Sequence, residues 1–275
     1  MARAWPFPPF GHPPPSDGGG LGWGMLSVPI LAALAAVALV TSFISGIFGM
    51  AGGMLLIGFL LLMLPVPAAM VMHGVIQISA NGWRAWLWRD HVKWSVVLQF
   101  GLGSIFSLAV FSSFAFVPPK WLVLMAVGLT PFLALAVPQR VAPNIERFGQ
   151  AFLAGAIGGA LQLVSGVTGP ILDIFYVRTG MSRQTNVATK AAAQVMGHLT
   201  KVVYFGALIA QPAGRSWEEW AVMAFAAVFA VAGTTLSRRF LDAMSDVQFY
   251  RWTRRIILVL GTVYIVQGVW QMVAA

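Results

Sequence analysis

His73-Gly74-Val75-Ile76-Gln77-Ile78-Ser79-Ala80-Asn81-Gly82-Trp83-Arg84 and Lys190-Ala191-Ala192-Ala193-Gln194-Val195-Met196-Gly197-His198-Leu199-Thr200-Lys201 are two stretches built on one plan. In each, polar residues fall at i, i+4, i+8 and i+11: His73, Gln77, Asn81 and Arg84, then Lys190, Gln194, His198 and Lys201. At 3.6 residues per turn these positions stack on one face, so each stretch is predicted to be a helix with a single polar stripe. The stripes interrupt segments that are otherwise almost wholly apolar. Their recurrence in register points to a duplicated site.

The chain has 275 residues, 59% of them hydrophobic and only 9% charged, with a mean hydropathy of +0.81. No single soluble core hides that much apolar surface, so the solvent is lipid and the chain reads as an all-α integral membrane protein. Apolar stretches run over 26–48, 54–64, 67–88, 94–116, 121–137, 148–164, 170–176, 185–209, 217–236 and 256–273. Most approach the roughly 20 residues that a crossing takes, whereas those beginning at Met54 and Pro170 are too short. Residues 1–24, rich in Pro and Gly, read as a disordered tail, and 25–275 as one transmembrane transport domain.

The formal net charge of +9 would suggest nucleic-acid binding in a soluble protein. Here Arg89 with Lys93, Arg140 with Arg147, and Arg238, Arg239, Arg251, Arg254 and Arg255 fall in every second connection, which marks those connections as cytoplasmic and leaves no nucleic acid among the expected partners. The chain has no cysteine, and His12, His73, His91 and His198 share no metal-ligand spacing, so no metal and no cofactor are expected. It lacks paired carboxylates, a Ser/His/Asp set and a phosphate-binding loop, which argues against an enzyme and against transport driven by its own ATP hydrolysis.

Aligning Gly53 with Gly169 and allowing one inserted residue places Gln77 on Gln194, Asn81 on His198 and Arg84 on Lys201. The chain then reads as two repeats, about 25–137 and 147–275. Each has about five segments in one order: a long helix, a Gly-rich break, a short helix, the striped helix and two plain helices. That gives 8 to 10 membrane segments, and the odd number per repeat inverts the second repeat in the membrane. The breaks are Gly46, Gly49, Gly52 and Gly53 in the first repeat, and Ser165, Gly166, Thr168, Gly169 and Pro170 in the second. Broken or re-entrant backbone at midplane is tolerated only where protein buries it or it lines a cavity. A short helix that starts at such a break offers unpaired N–H groups and the positive end of its dipole, which suits an anion.

Asp173 is the one acid well inside an apolar segment, and Lys190 or Lys201 is its expected partner. Protonation of Asp173, or of His198 with an ordinary value near pH 6.5, is the expected route for coupling protons to anion movement. Of the three buried cations, Lys190 is preferred for the substrate. Arg84 and Lys201 lie nearer helix ends and are expected to snorkel to the interface, and His73, near the start of its helix, is expected to be solvated there.

Ser45-Gly46-Ile47-Phe48-Gly49-Met50-Ala51-Gly52-Gly53, and Gly155 to Gly159 followed by Ser165-Gly166-Val167-Thr168-Gly169-Pro170, resemble the paired glycine motifs of the TauE/SafE sulfite exporter family over nearly everything from residue 26 onward. The resemblance implies a multi-pass protein of the bacterial inner membrane that transports sulfite, sulfoacetate or another organosulfonate. The family's glycine turns map onto Gly49, Gly52, Gly53, Thr168 and Gly169. With Gln77, Asn81, Arg84, Lys190, Gln194, His198 and Lys201 they form the expected substrate set, with Asp173 and His198 for coupling. The expected partners are a small anion, the lipid bilayer and a second copy in a homodimer. An anion channel and a carrier of small carboxylates stay open as alternatives.

Overall fold

The computed structural model describes residues 28–209, 217–243 and 246–274, and the Pro/Gly-rich tail lies outside them. Among the described residues all regular structure is helical: α1 (Val28–Phe48), α2 (Met50–Met63), α3 (Val66–Leu87), α4 (Trp94–Ser112), α5 (Lys120–Ala136), α6 (Gln150–Val164), α7 (Gly169–Tyr176), α8 (Arg183–Val203), α9 (Trp217–Ala243) and α10 (Asp246–Ala274). A π-helical turn, Tyr204–Leu208, prolongs α8. Four helices, over Val28–Phe48, Trp94–Ser112, Trp217–Phe240 and Arg251–Ala274, are long and apolar enough to cross a membrane. The striped helices α3 and α8 match them in length but carry their polar residues inward.

The body is inside-out relative to a soluble protein. Leu98, Leu102 and Phe106 of α4 and Val259, Val266 and Trp270 of α10 stand exposed, while His73, Gln77, Asn81, Gln162, His198 and Lys201 are buried. Lipid is as apolar as leucine, so apolar side chains gain little by turning inward, and close packing and internal hydrogen bonds hold the helices together instead.

Prolines set several helix starts. Pro65 precedes α3, which carries Pro67 in its first turn, Pro119 precedes α5, and Pro170 sits in the first turn of α7, where a missing N–H costs nothing. Ser182 caps α8 by accepting from the Thr185 N–H.

The most extensive helix contacts are α1 on α9, α4 on α6, α5 on α10 and α3 across α8. In the α4–α6 contact the Phe100 backbone lies against Gly155 so closely that a β-carbon there would stand 2.7 Å from the Phe100 carbonyl carbon and 2.8 Å from its Cα. Only glycine permits that approach.

The short helices fold back on their predecessors. Gly52 of α2 packs against Thr41 and Ser45 of α1. At the end of α7, the Phe175 carbonyl accepts from the Ile145 N–H (2.9 Å), and the Arg178 carbonyl accepts from Asn144 Nδ2 (2.8 Å). Both ends of the α6–α7 unit therefore meet at one end of the molecule, and each Gly-rich break is the tip of a helical hairpin.

A polar clasp closes that end. Lys93, before α4, pairs with Glu146, before α6, and Glu146 Oε2 accepts from the Gly180 N–H (2.8 Å). The Lys93 N–H donates to Thr189 Oγ1 of α8 (3.0 Å).

Two outcomes follow from these contacts. Gly155→Leu should lower the stability of the purified protein by about 1–3 kcal/mol through overpacking, read as a drop in thermal midpoint in detergent. The Lys93 ammonium, with help from the Gly180 N–H, holds the Glu146 carboxyl below its ordinary value of 4.5. A depressed carboxyl contributes stability that is complete above the unfolded-state value and is lost as pH falls through the folded-state one. Thermal midpoints from neutral pH down to about pH 3 should therefore fall more steeply for the native chain than for Glu146→Gln.

Candidate functional site

The two hairpin tips are built alike. In the first, Gly49 turns the chain between α1 and α2 with φ +65° and ψ −105°, and Ser45 Oγ donates to its carbonyl (2.7 Å). In the second, Gly166 has φ +77°, and Ser165 Oγ lies 2.8 Å from the carbonyls of both Leu161 and Val167. Both glycines sit in the left-handed region that side chains disfavour. No side chain caps the N-terminus of α2 at Gly49 or that of α7 at Thr168, so the first N–H groups of both helices keep their donor capacity.

Those N-termini face one another across a cavity of about 20 Å³. Gly49, Met50 and Gly53 line it from the first tip, Val167, Thr168 and Gly169 from the second, Gln77 and Asn81 from α3, and Gln194 and His198 from α8, with Ser45 and His73 completing the wall. The volume is near the minimum that holds one water.

Behind this wall lies a chain of buried hydrogen bonds. Lys201 Nζ donates to the Gly166 carbonyl (2.8 Å) and to His73 Nδ1 (2.7 Å), and His73 Nε2 donates to the Gly53 carbonyl (3.0 Å). Gln162 Nε2 donates to His198 Nδ1 (2.7 Å), and the two imidazole rings stand 5.5 Å apart. These partners assign both rings the tautomer with hydrogen on Nε2.

The structure thus brings eight of the twelve residues of the expected substrate set to one cavity: Gly49, Gly53, Gln77, Asn81, Thr168, Gly169, Gln194 and His198. Four others stand away from it. Gly52 seats α2 on α1, and Lys190 pairs with Asp173 rather than facing the cavity. Arg84 stands behind Asn81, donating to its Oδ1 (3.3 Å), with Nη2 buried and unpartnered. Lys201 stands behind His73.

Three expectations need correction. Arg84 does not snorkel, because its guanidinium turns back onto Asn81 with Nη2 buried. Lys201 does not snorkel. Its exposure is 0%, because the π turn carries α8 beyond it and it falls at the crossing with α3. His73, likewise 0% exposed, is not an interfacial residue, since the α2 backbone covers it. Gln162 escaped the sequence reading. It is the one amide past the first residue of α6, three residues before the break at Ser165, and that position was its one signal.

Hairpin tips meeting at a buried polar cavity, inside a helical body with an apolar exterior, define a helical membrane protein. The chain belongs to the TauE/SafE family of membrane transporters: the family described as Sulfite exporter TauE/SafE matches residues 34–265. No curated protein and no solved structure matches the chain.

The Asp173–Lys190 pair is half-buried, and each partner offsets the other's desolvation. Lys190→Met alone should destabilise the protein by about 1–3 kcal/mol, between the values for exposed and buried pairs, and the double variant Asp173→Asn/Lys190→Met should recover most of that loss in thermal unfolding.

Proposed function

We propose that this protein is a secondary transporter of small sulfur-containing anions, such as sulfite, sulfoacetate or another organosulfonate, working by alternating access in a bacterial inner membrane. The observation that carries the reading is the cavity at which two uncapped helix N-termini meet the amides of Gln77, Asn81 and Gln194. A sulfonate spreads its charge over three oxygens, and its dehydration must be offset by several convergent donors. Backbone N–H groups at two helix N-termini and side-chain amides supply donors without fixing a full opposite charge against the ligand, which favours release as well as binding.

Inverted repeats, with α1–α5 answering to α6–α10, account for the packing. The contact of α1 with α9 has its counterpart in that of α6 with α4, and α3 on α9 in α8 on α4. The corresponding helices α3 and α8 cross with opposite sense, Gly74 meeting Val202 while Gly82 meets Val195. So do α5 and α10, where Gly128 meets Ile265 and Gly261 meets Pro131. The tips of α1–α2 and α6–α7 are then re-entrant at midplane. A cavity sized for one water is the closed state of such a carrier, and it favours a carrier over a continuously open channel. Coupling of a proton to the movement of the anion belongs to the same reading; His198 lines the cavity, whereas Asp173 is held by Lys190.

Flux into proteoliposomes tests it. Sulfite, sulfoacetate or isethionate should be taken up in a saturable way, and acetate should not. Gln77→Ala and Gln194→Ala should each reduce flux by roughly tenfold or more, the loss expected for one hydrogen bond to a charged group. Equal flux of acetate would point to a carboxylate carrier, and large voltage-driven currents to a channel.

A further inference from the structure

Lys201 is the most unusual side chain in the molecule. It is fully buried, two of its three N–H donors go to the Gly166 carbonyl and to His73, and among the described residues no carboxylate reaches it. The other α8 cation at membrane depth, Lys190, is already neutralised by Asp173 of α7. The groups around Lys201 are few. From α3 comes His73, with Arg84 three turns further along, and from α8 itself His198, one turn earlier, held by Gln162. Tyr204 of the π turn points its hydroxyl away, to the carbonyls of Phe111 and Phe116. Helices α2, α4 and α6 carry no titratable side chain.

A full positive charge in this place lacks a counter-charge until something negative arrives, and His73, which it bonds, lines the cavity. His73 links the two: Nδ1 accepts from Lys201, and the ring borders the cavity.

Resting on the anion-transport reading above, we propose that Lys201, acting through His73, is the coupling residue of the transporter: the proton it shares with His73 is bound together with the substrate anion and travels in step with it. An anion in the cavity and a proton on the Lys201–His73 pair stabilise one another, and by linkage the effect is reciprocal. The proton comes from the aqueous phase on the loading side, resides on Lys201 Nζ or His73 Nδ1 while the anion is bound, and leaves on the far side when the anion does. With isethionate, a monoanion, one proton crosses with one negative charge and no net charge moves; with sulfoacetate, a dianion at neutral pH, the same single proton leaves one net negative charge to cross. The same ammonium bonds the second tip directly at Gly166 and the first through His73 at Gly53, so its protonation state is felt at both tips at once.

Calorimetry of anion binding to the purified full chain, in buffers of different ionisation enthalpy, counts the protons taken up. Isethionate and sulfoacetate are the probes, because neither titrates between about pH 6 and 10, the range to be scanned. The native protein should take up as much as about one proton per anion somewhere in that range. Lys201→Arg, which keeps a charge that does not dissociate, should bind the anion with no proton uptake. Lys201→Met should bind at least tenfold more weakly, also without uptake. Asp173→Asn, at a residue paired with Lys190 away from the cavity, should keep the native proton count. Binding without uptake at any pH in the native protein, or native uptake in Lys201→Arg, would overturn the assignment while leaving anion transport intact. Failure of the native protein to bind either probe or sulfite would overturn both.

Discussion

Backbone carbonyls freed at the two helix breaks have no water to turn to, and the interior is organised by how they are satisfied. Several carbonyls at and beside the breaks take a side-chain donor. Gly49 receives Ser45, Gly53 receives His73, Met54 receives the Tyr264 hydroxyl, and Gly166 receives Lys201. Ser165 lies within reach of both Leu161 and Val167. These donors come from α1, α3, α6, α8 and α10, so every hairpin tip is fixed by helices outside its own hairpin as well as by its own serine. Carbonyls at the breaks take side-chain donors while no side chain caps the helices that follow, and that asymmetry turns the positive ends of two helix dipoles toward the cavity.

Satisfying the carbonyls requires the helices to come close, and small residues at the crossings allow it. Gly74 lets α3 and α8 approach until Lys201 of one reaches His73 of the other, and Gly155 does the same for α4 and α6. A larger residue at either crossing would push apart helices whose polar groups have no alternative partner in lipid. The glycine content thus serves two purposes: chain reversal at Gly49 and Gly166, where φ is positive, and close approach elsewhere.

Periodicity was enough to put Gln77 and Asn81 on one face and Gln194 and His198 on another, and glycine spacing was enough to mark both breaks, because these are properties of one helix or one turn. What the sequence left unread depends on which helix meets which. The spacing of Lys190 and Lys201 makes them equivalent members of a stripe. In the folded chain the eight-residue α7 delivers Asp173 to Lys190, while the crossing with α3 gives Lys201 only an imidazole and a carbonyl. Gln162 has no repeat partner in a stripe to announce it, and its meaning appears only once α6 lies against α8 at His198.

A cavity that holds one water does not hold an oxyanion with a central atom and three oxygens, so the tips must part for a substrate to enter. The contacts decide which parts can move together. The first hairpin is packed along α9, and the second along α4, in each case through a helix from the other half of the chain. Sliding one sequence half past the other would break both of these extensive interfaces, including the glycine-mediated approach of Phe100 to Gly155. Separation at the α3–α8 crossing leaves both of these intact and parts a single interface, where Gly74 meets Val202 and where the polar bonds of Lys201 and His73 lie. Polar bonds can be exchanged for bonds to an entering anion or water at little net cost, whereas lost close packing has no substitute in lipid. The least costly opening therefore runs through the polar seam between the two striped helices, which is also where the donors for an anion are gathered.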